Sequence, residues 1–174
     1  KVIMKTLNEH IKNHTFQNVY LIYGPEDYLP RQYRDKLKAA VLDGADTMNY
    51  NYFEGKGIDV NEIIGLAETL PFFAEYRLII LENTGFFSSA NDTLAEYVKH
   101  VPKTTILVFV EAGPDKRNKL YKAVNAAGYA AQMTSPDQET LVRWVAGILQ
   151  KDHRRITKND CLLFLSLVDP DMEN

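Results

Sequence analysis

A single cysteine, Cys161, stands in the 174 residues. One thiol excludes a disulfide framework and a zinc site built on cysteine pairs. Set in the apolar run "NDCLLFL", it reads as a core thiol in a reducing compartment, the cytoplasm. No apolar stretch approaches the ~20 residues that span a bilayer. The opening "KVIMKTLNEHIKNHTF" has no apolar run of the signal-peptide kind. A net charge of −3 does not announce a nucleic-acid partner. The histidines His10, His14, His100 and His153 lie apart from one another and from Cys161. His10 and His14 have the four-residue spacing of helical metal ligands, but no third ligand lies near, so both read as surface histidines and no metal is expected. No Gly-x-Ser-x-Gly elbow is present.

What is there is an ordinary globular composition, 45% hydrophobic and 25% charged. The length suits one domain and part of another. Hydrophobic periodicity predicts helices over 4–15, 28–42, 59–70, 89–101 and 115–128, the third capped by Asp59 and the last stopped by Gly128. Strands are expected at 19–23, 48–53, 77–83, 104–110 and 129–133. Runs such as "LIIL" and "ILVFV" are apolar without alternation, as in strands covered on both faces. The expected fold is therefore α/β, a five-stranded and mainly parallel sheet with helices on both faces. Ligands of such sheets sit beyond the carboxyl ends of the strands, where Gly24, Glu82 and Glu111 fall. From Ser135 onward the pattern turns wholly helical, with caps at Ser135 and Thr157. It reads as the beginning of a small helical domain that is cut short.

The stretch "VYLIYGPEDYL" has the strand–glycine–helix form of a phosphate loop. It has none of the chemistry. A phosphate loop needs G-x-x-x-x-G-K-[ST], for backbone N–H groups around the phosphates, a lysine and a magnesium-holding hydroxyl. Gly24 is followed here by Pro25, Glu26 and Asp27, with no second glycine, lysine or hydroxyl. Two carboxylates suit a helix start better than a triphosphate. The strand "RLIILEN" ends in a lone Glu82 where an Asp-Glu pair would hold magnesium, and reads as a polar strand end. No cofactor is expected.

Another stretch is harder to absorb into a core. In "LAETLPFFAEYRLIIL" the helix is expected to end at Leu70, before Pro71, leaving Phe72 and Phe73 adjacent in a short connection. Neighbouring residues of an extended segment point in different directions, so both rings cannot easily enter one core. Two aromatics at a loop tip suit a partner's apolar pocket, and such anchors dominate binding energy. Further on, "FVEAGPDKRNKLYK" places Lys116, Arg117 and Lys119 just past a strand end. They suit either a solvated helix start or phosphate contact.

Taken in order, "VYLIYGPEDYL", "LPFFAEYRLIILEN", "TTILVFVEAGPDKRNKLYKAV" and "LVRWVAGIL" resemble the δ subunit of the bacterial DNA polymerase III clamp loader. The resemblance covers nearly the whole chain. It implies an AAA+-like, P-loop-type domain without ATPase activity over residues 1–135 and the start of a helical lid over 136–174. The collar domain of that family would be missing. It implies a non-catalytic subunit that binds the β sliding clamp and opens the ring for loading on primed DNA. The nucleotidyltransferase label of DNA-directed DNA polymerase would belong to the holoenzyme. Other implied partners are the remaining loader subunits, mainly through the collar, and primed DNA within the full loader, with no membrane. The family's clamp-binding pair maps to Phe72 and Phe73, with Leu70 just before; many members have Leu-Phe where this chain has Phe-Phe. Gly24, Pro25, Glu26 and Asp27 then form a relic of a nucleotide turn. The alternatives are a divergent AAA+ NTPase and a nucleic-acid-binding adaptor using Lys116, Arg117, Arg154 and Arg155.

Overall fold

In the computed structural model, the described residues are 2–134 except 27, 43 and 45. Asp27, Cys161, Arg154, Arg155, His153 and the helices expected from Ser135 and Thr157 lie outside them. The chain divides after Met133. In order come α1 (Val2–Asn13), β1 (Val19–Tyr23), α2 (Tyr28–Val41), β2 (Tyr50–Glu54) and α3 (Val60–Ala67). Then follow β3 (Arg77–Glu82), α4 (Asp92–Tyr97), β4 (Thr105–Glu111), α5 (Lys119–Ala127) and β5 (Tyr129–Gln132). The five strands form one sheet in the order β2-β3-β4-β1-β5. Every pairing is parallel, so the sheet is wholly rather than mainly so. No described helix is long and apolar enough to cross a membrane.

The unbroken apolar runs have a simple cause. Every residue of β1 and β3 is buried, as are all but the last of β4. Val19, Leu21, Ile79, Leu81, Leu107 and Phe109 pack with Ile63, Leu94, Leu120 and Val124 on one face. Tyr20, Ile22, Leu78, Ile80, Ile106 and Val108 pack with Leu7, Tyr33 and Leu37 on the other. A strand with apolar partners on both sides has no polar face to alternate with. Each fully buried aliphatic side chain contributes ~1.5–3 kcal/mol, so these three strands hold the domain together.

Helix ends depart most from expectation. The helix expected over 59–70 stops at Ala67. Thr105 Oγ1 donates to the Ala67 carbonyl at 2.6 Å, and Thr69 Oγ1 donates to Gly65 O at 2.9 Å, so terminal carbonyls are satisfied without another turn. The helices expected from 89 and 115 begin late, because Asn91 and Asn118 act as N-caps for Leu94 N and Leu120 N. α1 ends at Asn13, and His14 follows with a φ of 51°. The His10–His14 pair therefore does not share a helix face. His10 instead packs edge-on against Tyr20 and Tyr129 and shares a 3.1 Å hydrogen bond with the Tyr20 hydroxyl. Burial lowers its pKa.

Two glycines are required by close approach. A Cβ at Gly24 would lie 2.3 Å from the Met133 carbonyl oxygen, and one at Gly128 would lie 2.1 Å from that of Val19. Both obstacles are backbone and cannot swing aside. Gly24→Ala and Gly128→Ala are each expected to lose about 1–3 kcal/mol, read as a lower urea midpoint at unchanged slope. Gly65→Ala, in α3 with open space around it, is expected to shift the midpoint upward, by up to about 1 kcal/mol.

Candidate protein-docking site

A wholly parallel sheet has two unlike edges, and the sequence-predicted residues divide between them. At the carboxyl edge lies the glycine turn. Gly24 N donates to Glu111 O at 3.2 Å, and Met133 N donates to Tyr23 O at 2.6 Å, which seats β5 against the turn. The glycine is thus accounted for by backbone packing. Pro25 and Glu26 are exposed beside it.

Glu82, the residue at a magnesium-binding position, is buried and engaged. Arg34 Nη1 of α2 donates to Glu82 Oε2 at 2.7 Å, and the Tyr52 hydroxyl of β2 donates to the same oxygen. Arg34 also bonds Asp35. Burial depresses the Arg34 pKa, but the bonds to Asp35 and Glu82 outweigh it and the net shift is upward. Burial, then the bond to Glu82, raises the Tyr52 pKa. Glu82 is therefore more than a polar strand end, because the chain supplies its own counter-cation from 48 residues away. Glu111 at the end of β4 accepts from Thr84 N at 3.0 Å and Thr84 Oγ1 at 2.8 Å. Among the described residues no group of three or more His, Cys, Asp or Glu could hold a metal ion.

The basic residues sit at this same edge, each with a partner in the chain. Lys116 donates to Gln132 Oε1 at 3.1 Å and lies over the Tyr23 ring. Arg117 pairs with Asp115 at 3.1 Å, and Lys119 with Asp92 at 2.9 Å. Exposed pairs of this kind contribute little and are screened by salt.

The opposite edge carries the apolar loop. Leu70, Phe72 and Phe73 are 74%, 54% and 95% exposed, and with Met48 and Tyr52 they are the large exposed hydrophobics of the described residues. Phe73 has a φ of 48°, a left-handed conformation that costs a non-glycine residue ~1–2 kcal/mol. The segment is therefore not extended, and the two rings do not diverge as expected. They meet edge to face with centroids 4.5 Å apart.

Polar side chains from the sheet hold this loop. Asn49, directly before β2, is 1% exposed. Its Oδ1 accepts from Phe72 N at 2.6 Å and its Nδ2 donates to Phe72 O at 2.9 Å. Asp46 accepts from Asn49 Nδ2 at 2.7 Å, and that bond, followed by backbone donors, lowers the Asp46 pKa. Arg77, the first residue of β3, is buried and reaches Thr69 O at 3.1 Å through Nε. Its Nη2 lies 3.5 Å from Leu70 O, and its Nη1 donates to Asn51 Oδ1 at 3.2 Å. Neither residue stands out in the sequence: Asn49 falls inside the strand expected at 48–53, although β2 starts only at Tyr50. A charged residue heading the apolar run "LIIL" was the one available signal for Arg77.

Together the sheet and its two edges define a wholly parallel α/β domain whose strand-end carboxylate Glu82 is paired by the chain's own side chains and whose opposite edge presents an exposed apolar loop. A sequence profile of the family described as DNA polymerase III, delta subunit matches residues 20–132, and the chain belongs to that family. It is 23% identical over 151 residues to DNA polymerase III subunit delta of Bacillus subtilis (strain 168), covering 79% of this chain and 43% of that protein. The solved Bacillus subtilis DNA clamp loader delta protein has a similar fold, with a TM-score of 0.77 at 20% identity over 97% of this chain and 53% of the other. A DNA polymerase III gamma subunit-related protein from Thermotoga maritima gives a TM-score of 0.57 at 13% identity, over 93% of this chain and 58% of the other. The chain spans about half the length of these relatives.

The carboxyl edge yields a pH test. Burial raises the Glu111 pKa above its ordinary 4.5. The folded state thus holds this proton more tightly, and the resulting stability is present below 4.5 and lost as pH rises through the folded value. Glu111→Gln keeps an acceptor for Thr84 and removes that loss. Its stability relative to the parent, from urea unfolding, is expected to climb between acid and neutral pH and then level off. Arg34→Met strands a buried carboxylate and is expected to cost about 3–5 kcal/mol at neutral pH, much of it recovered by adding Glu82→Gln.

Proposed function

We propose that this chain is the clamp-gripping part of a clamp-loader delta subunit. Leu70, Phe72 and Phe73 enter an apolar pocket of the β sliding clamp, and their exposure on a polar-pinned loop is the observation that carries the reading. An almost fully exposed Phe at the tip of a held loop has nothing to gain in the free chain. Burying one such ring contributes ~1.5–3 kcal/mol. Association itself costs ~4–15 kcal/mol, so both rings, Leu70 and neighbouring surface act together. Ring opening follows from differential affinity: the domain shifts the clamp toward its open form only as far as it binds that form more tightly. In this reading the chain hydrolyses nothing, and nucleotide control belongs to other loader subunits. On the same reading the whole works in the cytoplasm. Lys116, Arg117 and Lys119 meet DNA or a neighbouring subunit only inside the assembled loader, where their internal partners can be exchanged.

Titration of the chain against the same organism's sliding clamp tests this. The Phe72→Ala/Phe73→Ala variant is expected to lose at least about 30-fold in affinity, the mark of a binding hot spot. Its urea midpoint is expected to stay within about 0.5 kcal/mol of the parent's, because exposed side chains contribute little to folding. Equal affinity for parent and variant would place the contact elsewhere.

A further inference from the structure

We propose that Asn49 and Arg77 are positioning residues that build the docking loop before any partner arrives, so that the clamp meets a finished plug rather than a loop it must order. The inference rests on the reading of Leu70, Phe72 and Phe73 as the clamp anchor. The bonds that Asn49 and Arg77 make to the loop go to its main-chain atoms. Both act on the backbone that carries the anchor's side chains.

The geometry is specific. Asn49 bonds both backbone polar groups of Phe72, one through each end of its amide. Its own backbone is fixed in turn: Asn49 O accepts from Leu78 N at 2.8 Å, and Asn49 N donates to Asp46 Oδ1 at 3.1 Å. The amide is thus anchored to β3 and to the turn before β2, and cannot follow the loop if the loop moves. Arg77 performs the same service three residues earlier, through the carbonyls of Thr69 and Leu70. Its backbone N donates to Thr104 O at 2.8 Å, and its guanidinium is braced by Asn51. The two pins bracket Pro71, which removes a further freedom of the chain. Beyond the second pin comes Phe73 in its left-handed conformation. A strained, exposed aromatic persists only where its surroundings over-determine it. Buried polar side chains spent on an exposed loop are otherwise hard to account for, since the amide and guanidinium groups could have been solvated at no cost to the core. Preorganisation gives them a use, because a rigid anchor spares the complex the entropy of ordering it.

The test uses the full chain and the same organism's sliding clamp. Amide exchange of the free protein reads the loop, and clamp titration reads its consequence. In Asn49→Ala the Phe72 amide is expected to exchange faster while the amides of β1, β3 and β4 keep their protection. Clamp affinity is expected to fall by about tenfold or more with all three anchor side chains still present. Asn49→Ser keeps a small uncharged hydroxyl beside Asp46 but loses the amide that reaches both backbone groups of Phe72, and is expected to fall between parent and Ala variant on both readouts. It replaces Asn49→Ala if that variant loses its strand protection. A purely structural role would lower the urea midpoint and leave the affinity of the folded protein unchanged. That result, or faster Phe72 exchange with unchanged affinity, overturns the positioning role while the clamp reading stands. A parent chain that does not bind the clamp overturns both.

Discussion

All five strands run the same way, and this one constraint makes the two edges of the sheet chemically different places. Parallel strands need crossover helices, the helices cover both faces, and the strands must then be apolar throughout. β1, β3 and β4 meet that demand. With these central strands covered on both faces, the functional candidates fall at the two edges of the sheet. In open α/β sheets the carboxyl edge is the usual ligand site. Here Glu82 at that edge is engaged from within by Arg34 and the Tyr52 hydroxyl, and Met133 packs against Gly24. The apolar loop occupies the other edge, between the end of α3 and the start of β3.

The arrangement at that second edge follows from where helix α3 stops. Had it run on to Leu70, Pro71 would have ended it against the sheet and the aromatic pair would have followed directly. It stops at Ala67, with Thr105 taking the Ala67 carbonyl and Arg77 that of Thr69, just beyond the helix. The freed residues form a loop long enough to lift Leu70, Phe72 and Phe73 clear of the core. Asn49 then fixes the tip. Each of these polar groups comes from the sheet's amino edge, so the rigidity of the core is passed directly to the loop.

The strands were legible in the sequence because a doubly covered strand leaves a signature in consecutive residues, as "LIIL" and "ILVFV" show. The exposure of Phe72 and Phe73 was legible for a similar reason: two neighbouring rings after Pro71 had no obvious core to enter. Their mutual packing was not, because it depends on one left-handed φ that no residue type announces at a phenylalanine. Helix ends were overestimated where asparagines cap in mid-pattern, as Asn91 and Asn118 do. Glu82 was read as a plain strand end because its partner Arg34 is brought to it only by the crossover of α2. Asn49 escaped for the same reason, since its bonds to Phe72 span 23 residues. Long-range polar pairs carry no local periodicity, whereas apolar strands do.

The most direct measurement compares the two edges in one experiment. A photoreactive phenylalanine analogue is placed at position 73 and, in a separate chain, at position 117, and each is irradiated with the same organism's sliding clamp. A covalent adduct from position 73 and none from position 117 is the expected result. An adduct from position 117 alone, or none from position 73 in a chain that still binds the clamp, would contradict docking through the loop at the amino edge.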